Sequence, residues 1–255
     1  RSVYDAPRML RRVKNTLLRA VESRLSTTEA DHREAFAWFE RRQENYDRLV
    51  DSVASLLNRD EPIFDVGGNI GYFSLCLMQR LGFRGPCYLF EPVPNLSKLC
   101  RQTFVDQPFN AQVFDYGLSD QDTTVELFIA QNGNIGWNTM IAEKRSATMA
   151  PIQIQVRRFD GIGLDVRPQF IKIDVEGAEY LVLRGMMESL AKWQPLPLIL
   201  CEIGWGMQHP NWNDELAIFA ELKRLGYRIC DLQRAPIDVD KLARTTDVLF
   251  LPPGR

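Results

Sequence analysis

The chain has 255 residues, 45% hydrophobic and 25% charged, with a formal net charge of -2; it can bury the core of one large α/β domain plus an appendage, and its charge argues against a nucleic-acid groove as the main function. Its five cysteines, Cys76, Cys87, Cys100, Cys201 and Cys230, are odd in number, lack Cys-x-x-Cys spacing and sit mostly in apolar runs; they read as small buried hydrophobes in a reducing, cytoplasmic setting. Two histidines, His32 and His209, supply a zinc site or a Ser-His-Asp hydrolase poorly, and no run is apolar enough to span a bilayer, although a start at Arg1 leaves an upstream targeting segment open.

In chain order, Met9, Leu10, Val13, Leu17, Val21 and Leu25 fall at helical spacing among Arg8, Arg11, Arg12, Lys14 and Arg19. The pattern predicts a basic amphipathic helix over 6–25, packed on the main domain or pairing two subunits as a homodimer in preference to lying on a membrane. Ser26 and Glu29 resemble a capping box, and Phe36, Phe39, Leu49, Val53, Leu56 and Leu57 mark a long helix or helix pair that Pro62 stops. Residues 1–60 therefore read as a helical appendage and 61–255 as the main domain. That domain alternates strands and helices: strand Ile63–Val66, helix from Gly71, strand Cys87–Phe90, helix from Pro94, strand Gln112–Asp115. Thr124–Phe128 and Ile152–Val156 alternate as half-buried strands do, flanking a polar stretch from Ala130 to Met149 that is expected to cover an acceptor. Strands Phe170–Asp174 and Leu198–Glu202, a helix over Leu216–Leu225 and strands Tyr227–Cys230 and Val248–Leu251 complete the series. The alternation predicts an α/β fold with a Rossmann-like, doubly wound, mostly parallel sheet.

Two stretches carry chemistry. Ile63-Phe64-Asp65-Val66-Gly67-Gly68-Asn69-Ile70-Gly71 reads strand, tight turn, helix, and Glu91 closes the next strand, where an acid can accept ribose hydroxyl protons. A dinucleotide turn needs a glycine where Asn69 stands, and Asp65 would repel a pyrophosphate. The same carboxylate suits an ammonium and a sulfonium, which favours S-adenosylmethionine over NAD or FAD. Downstream, Lys172-Ile173-Asp174-Val175-Glu176-Gly177-Ala178-Glu179 and Leu198-Ile199-Leu200-Cys201-Glu202 are further strands ending in acids. In an open parallel sheet, Asp65, Glu91, Asp174 and Glu202 would gather on one rim, while Glu179 reads as a helix cap.

Asp65 to Gly71, Phe90-Glu91-Pro92 and above all Lys172 to Glu179 resemble the FkbM family of S-adenosylmethionine-dependent methyltransferases. The resemblance runs from about Ile63 to Pro252, with Arg158-Phe159-Asp160 similar to the family's Thr-Leu-Asp element and a closing Gly226-Tyr227; Gly68 stands where alanine is commoner. It implies a class I methyltransferase fold ending in an antiparallel hairpin, and O-methylation of a hydroxyl on a sugar, glycan or natural product. With the turn chemistry it implies that Asp65, Gly67, Asn69 and Gly71 surround the methionine part, with Tyr72 and Phe73 opening the helix and Glu91 on the ribose. Asp115, Leu118 and Ser119 either border adenine or form an ordinary turn. Asp174, Glu176, Glu202 and His209 are candidates for the base, Asp174 first, and Asp174 with Glu176 or Glu202 could instead hold Mg²⁺. Asn134, Trp137 and Asn138 offer amides and an aromatic face to a sugar, or simply build a turn. An NAD-dependent oxidoreductase and a catalytically silent binding module remain the alternatives.

Overall fold

The structure, a computed structural model, describes residues 27–130, 138–139 and 149–254. The expected basic helix over 6–25, Ser26, Asn134 and Trp137 lie outside the described residues, and of Asn138 only the backbone is described.

The amino-terminal periodicity resolves into a helix pair, α1 (Thr27–Glu40) and α2 (Gln43–Ala54). Val50 and Val53 form the buried face of α2, which packs on α3 (Tyr72–Leu81), while α1 lies along α4 (Pro94–Phe104), where His32 Nε2 meets Thr103 Oγ1 at 2.8 Å. Among the described residues no helix is long and apolar enough to cross a membrane.

The main sheet has seven strands: β1 (Ile63–Val66), β2 (Pro86–Phe90), β3 (Asn110–Phe114), β8 (Phe170–Ile173), β9 (Leu198–Ile203), β10 (Arg228–Cys230) and β11 (Thr246–Leu251). Their order is β10-β11-β9-β8-β1-β2-β3, parallel from β3 to β9, with β11 antiparallel to both neighbours. The expected terminal hairpin is thus β10 with β11. Alternate residues of the central strands serve two cores, which is why these strands are largely apolar. Phe64, Val66, Ile171 and Ile173 face α5 (Glu179–Gly185), α6 (Met187–Lys192) and α7 (Trp212–Arg224). Ile63, Leu89, Phe170 and Leu200 face α2, α3 and α4. A second sheet is formed by β4 (Gly117–Ser119), β5 (Thr123–Ala130), β6 (Asn138–Thr139) and β7 (Met149–Arg158), in the order β4-β7-β5-β6. Leu127, Ile154 and Val156 point inward, to a third core with Ile70, Tyr72 and Phe39, while Glu126, Gln153 and Gln155 face solvent. The chain leaves β1 toward β2 on one side and returns as β8 on the other, so a crevice opens above their carboxyl ends, the usual ligand position in such sheets.

Candidate active site

That crevice is a cavity of about 1090 Å³, mouth included. Its floor is the turn after β1. Gly67 adopts φ +80° and donates its N–H to Phe90 O at 3.0 Å; a Cβ there would lie 1.8 Å from the Asp174 carbonyl, so only glycine fits. Gly71 also has positive φ, and a Cβ would meet Phe104 at 2.6 Å, so it sets the seat of α3 on α4. Asn69, at φ 51°, donates its backbone N–H to Glu91 Oε2 at 2.8 Å, and Val93 N–H donates to Oε1 at 2.8 Å. Each Glu91 oxygen keeps a further lone pair. Burial pushes this carboxyl up to about 7, against the lowering by those two N–H groups. Beside it, Pro92, Gly117, Leu118, Leu127, Ile154 and Val156 make an apolar wall.

Lys172 is buried, its Nζ 2.9 Å from Asp174 Oδ2 and 3.8 Å from Asp65 Oδ1, beneath the Phe73 ring at 5.4 Å. Burial works against its charge, but Asp174 and Asp65 outweigh that and hold the ammonium above its ordinary value. Glu176 adopts φ 57° and Gly177 φ 101°. A left-handed non-glycine residue costs about 1–2 kcal/mol, and the turn is held in place by its neighbours. Glu179 Oε1 accepts from Val175 N–H at 3.1 Å and Gly177 N–H at 3.0 Å, while the His209 Nε2 lies 2.9 Å from the Gly177 carbonyl. Glu179, read from the sequence as a helix cap, binds the turn that precedes its own helix.

Asp174, Glu176 and Glu202 bring one carboxylate oxygen each within 4.8 Å of one another. Glu202 is pushed up to about 9, first by Asp174 and then by burial; Glu176 is pushed well up by burial and then by Asp174 and Glu202. Lys172, Asp174, Glu176 and Glu202 all line the cavity, with Gly67, Asn69, Tyr72, Phe73, Glu91 and Leu118.

Other residues singled out from the sequence sit elsewhere. Asp65 is 1% exposed and is not part of the cavity lining; Ser74 Oγ donates to its Oδ2 at 2.6 Å, and burial raises its carboxyl. Strand alternation accounts for this: residue 65 shares the face of Ile63, under α3, rather than the rim. Gly71 acts beneath the cavity, through packing. Asp115 is 60% exposed and paired with Arg101 at 2.8 Å, and Ser119 is buried beside Asp120. His209 is buried away from the cavity. Its Nδ1 accepts from Asn211 N–H at 3.1 Å and lies 3.3 Å from Glu215 Oε1, so the loop histidine braces the acid turn from behind. Trp38, Phe39, Tyr46, Leu127, Ile154 and Val156 line the cavity without having been singled out for it. Helical spacing set Phe39 on a buried face and alternation set Leu127 and Ile154 inward, but only tertiary docking reveals what those faces cover.

Residues 65–229, more than half of the chain, match the Methyltransferase FkbM domain. The chain belongs to the FkbM methyltransferase family. A relative, Methyltransferase 1 of Beauveria bassiana (strain ARSEF 2860), is 28% identical over 167 residues, 56% of this chain and 65% of that protein. The FkbM methyltransferase of Methylobacillus flagellatus KT superposes with a TM-score of 0.51 at 21% identity, covering 77% of this chain and 45% of that one. A TehB-like SAM-dependent methyltransferase of Corynebacterium glutamicum superposes less closely, with a TM-score of 0.46 at 12% identity, covering 85% of this chain and 97% of that one. The chain thus spans less than two thirds of the length of the Beauveria and Methylobacillus proteins. Within the FkbM match lie the glycine turn, Glu91 and the Lys172 to Glu179 signature.

Proposed function

We propose that this FkbM-family chain is an S-adenosylmethionine-dependent methyltransferase acting on a hydroxyl of a sugar, glycan or natural product. The observation that carries the reading is Glu91, whose two oxygens are each fixed by one backbone N–H and still have acceptor capacity at the cavity, as a ribose diol requires. The rest of the donor set fits that cofactor. Gly67 keeps the turn closed against the Asp174 carbonyl at the cavity floor, the wall of Pro92, Leu118 and Val156 suits a flat base, and Asp174 suits the cationic end. The bound cofactor supplies a methyl group on a positively charged sulfur.

The chain's residues then have three tasks. Glu91 and the Gly67 to Asn69 turn hold the cofactor's ribose and amino-acid portion. Trp38, Phe39 and Leu127 exclude water from the cavity, where holding the reactants in line removes on the order of 7–11 kcal/mol at best. Asp174 receives the proton of the attacking hydroxyl. Glu202, its carboxyl pushed up to about 9 by Asp174 and then by burial, serves as a hydrogen-bond donor in its protonated form. His209 takes no part in proton transfer, because it faces the back of the acid turn.

An NAD-dependent oxidoreductase is disfavoured by Asn69, which stands where a dinucleotide turn needs a glycine. Thermal unfolding with S-adenosylhomocysteine and with NAD separates the two, since a ligand bound only by the folded state stabilises it by mass action. A rise of several degrees is expected with the first and none with the second; the reverse pattern would remove the proposal.

A further inference from the structure

A second cavity of about 730 Å³, mouth included, opens between α2 and the ends of β8, β9 and β11. Four residues, Tyr46, Lys172, Asp174 and Glu202, line both cavities, so the two meet at the carboxylate cluster. The first cavity has the apolar wall beside Glu91. The outer wall of the second is polar: Arg42, Asn45, and Arg48 paired with Asp247 at 3.0 Å.

Tyr46 stands where the cavities join. Its ring packs against Phe39 and Tyr72, with centroids 5.5 and 5.2 Å away, which fixes the direction of the side chain. Its hydroxyl lies within electrostatic reach of Asp174, Lys172 and Glu202, and no described residue hydrogen-bonds to it. Burial, with Asp174 next, pushes the phenol well above its ordinary value, so it stays protonated.

Building on the methyltransferase reading above, we propose that the second cavity admits the acceptor, that the acceptor is a small hydrophilic hydroxyl compound, and that Tyr46 donates its O–H to the reacting oxygen. The polar outer wall suits a polyol, whose other hydroxyls find Asn45 and Arg42, while Leu49, Ile173 and Leu200 also line the cavity. In the step so served, the acceptor oxygen bonds to the methyl carbon as the carbon–sulfur bond breaks. Sulfur keeps that electron pair, and the hydroxyl proton passes to Asp174. A donor aimed at the oxygen stabilises the negative charge that grows as its proton departs.

The test uses the full chain, deuteromethyl-labelled S-adenosylmethionine and a panel of pentoses, hexoses, their phosphates and simple aliphatic alcohols, with products read by intact mass. Binding of S-adenosylhomocysteine, and of each acceptor hit to that complex, is measured by calorimetry. A labelled product is expected from a sugar or sugar phosphate. Tyr46→Phe should keep S-adenosylhomocysteine affinity within twofold and lower kcat at least 20-fold. Asn45→Trp, an exposed change at the rim of the second cavity, should weaken acceptor binding at least tenfold without changing S-adenosylhomocysteine affinity. The inference is overturned by full kcat in Tyr46→Phe, by unchanged acceptor affinity in Asn45→Trp, or by a panel in which only the aliphatic alcohols, or no members, react while S-adenosylhomocysteine binds. No binding of S-adenosylhomocysteine to the unaltered chain would instead overturn the methyltransferase reading, and this inference with it.

Discussion

Glu91→Gln removes one acceptor oxygen and replaces it with a donor while preserving shape. In the unliganded chain the two oxygens accept N–H groups of Asn69 and Val93, both at 2.8 Å and in a site 4% exposed. A carboxamide can accept only one of them, so the other N–H faces an NH₂ group. An orphaned buried donor costs about 1–3 kcal/mol, which for a chain of this size lowers the melting temperature by roughly 2–10 °C. The ribose loses more, because one of its hydroxyls also loses a charged acceptor. At about 1.5–3 kcal/mol for a hydrogen bond to a charged group, affinity for S-adenosylhomocysteine should fall by roughly 10- to 150-fold. Titration calorimetry reads the affinity and thermal unfolding without ligand reads the structural part. Affinity within threefold of the parent chain, in a variant that still folds, would show that Glu91 does not grip the ribose.

Gly67→Ala should cost more than the about 1–2 kcal/mol of a left-handed alanine, since its Cβ meets the Asp174 carbonyl at 1.8 Å; Gly68→Ala, whose Cβ meets Leu89 at 3.3 Å, should stay within about 1 kcal/mol of the parent by denaturant unfolding. Equal effects would discredit the geometry of the turn. Glu91 and Glu179 are raised to about 7, and Glu202 and Glu215 to about 9. A carboxyl raised on folding stabilises fully below its unfolded value and loses that contribution as pH rises through the folded one. Melting temperature should therefore be highest near pH 5 and decline toward pH 9, with Glu215→Gln flattening the upper part of the decline; a melting temperature that climbs over this range would contradict the assignment. Chelation with EDTA should leave turnover within twofold, because Lys172 already supplies a cation 2.9 Å from Asp174; a tenfold loss restored by Mg²⁺ would make the Asp174, Glu176 and Glu202 cluster a metal site.

The strands and their ends were legible because buried parallel strands read as mainly apolar runs that stop at glycines and acids. Glu91, Asp174 and Glu202 were placed by that logic alone. Asp65 was not, although its position held the signal: two residues after Ile63 it must share that residue's face, where Ser74 and Lys172 meet it. The bracing role of His209 depends on a contact across 32 residues with Gly177, which no local pattern encodes. Tyr46 and Trp38 were helix residues among others until α1 and α2 docked over the crevice. The left-handed backbone at Glu176 was likewise hidden, since glutamate carries no preference for it; the following glycine was the only cue.

Lys172 lies inside the sheet between two carboxylates, only 5% exposed. An acidic edge usually draws its neutralising charge from dissolved electrolyte and changes character as that electrolyte is concentrated or diluted. Here the neutralising ion is covalently tethered, and mobile ions screen such interior pairs weakly. The pairing of Lys172 with the buried Asp65 is thereby insulated from the ionic strength of its surroundings, while the outlying Arg48 and Asp247 pair is not.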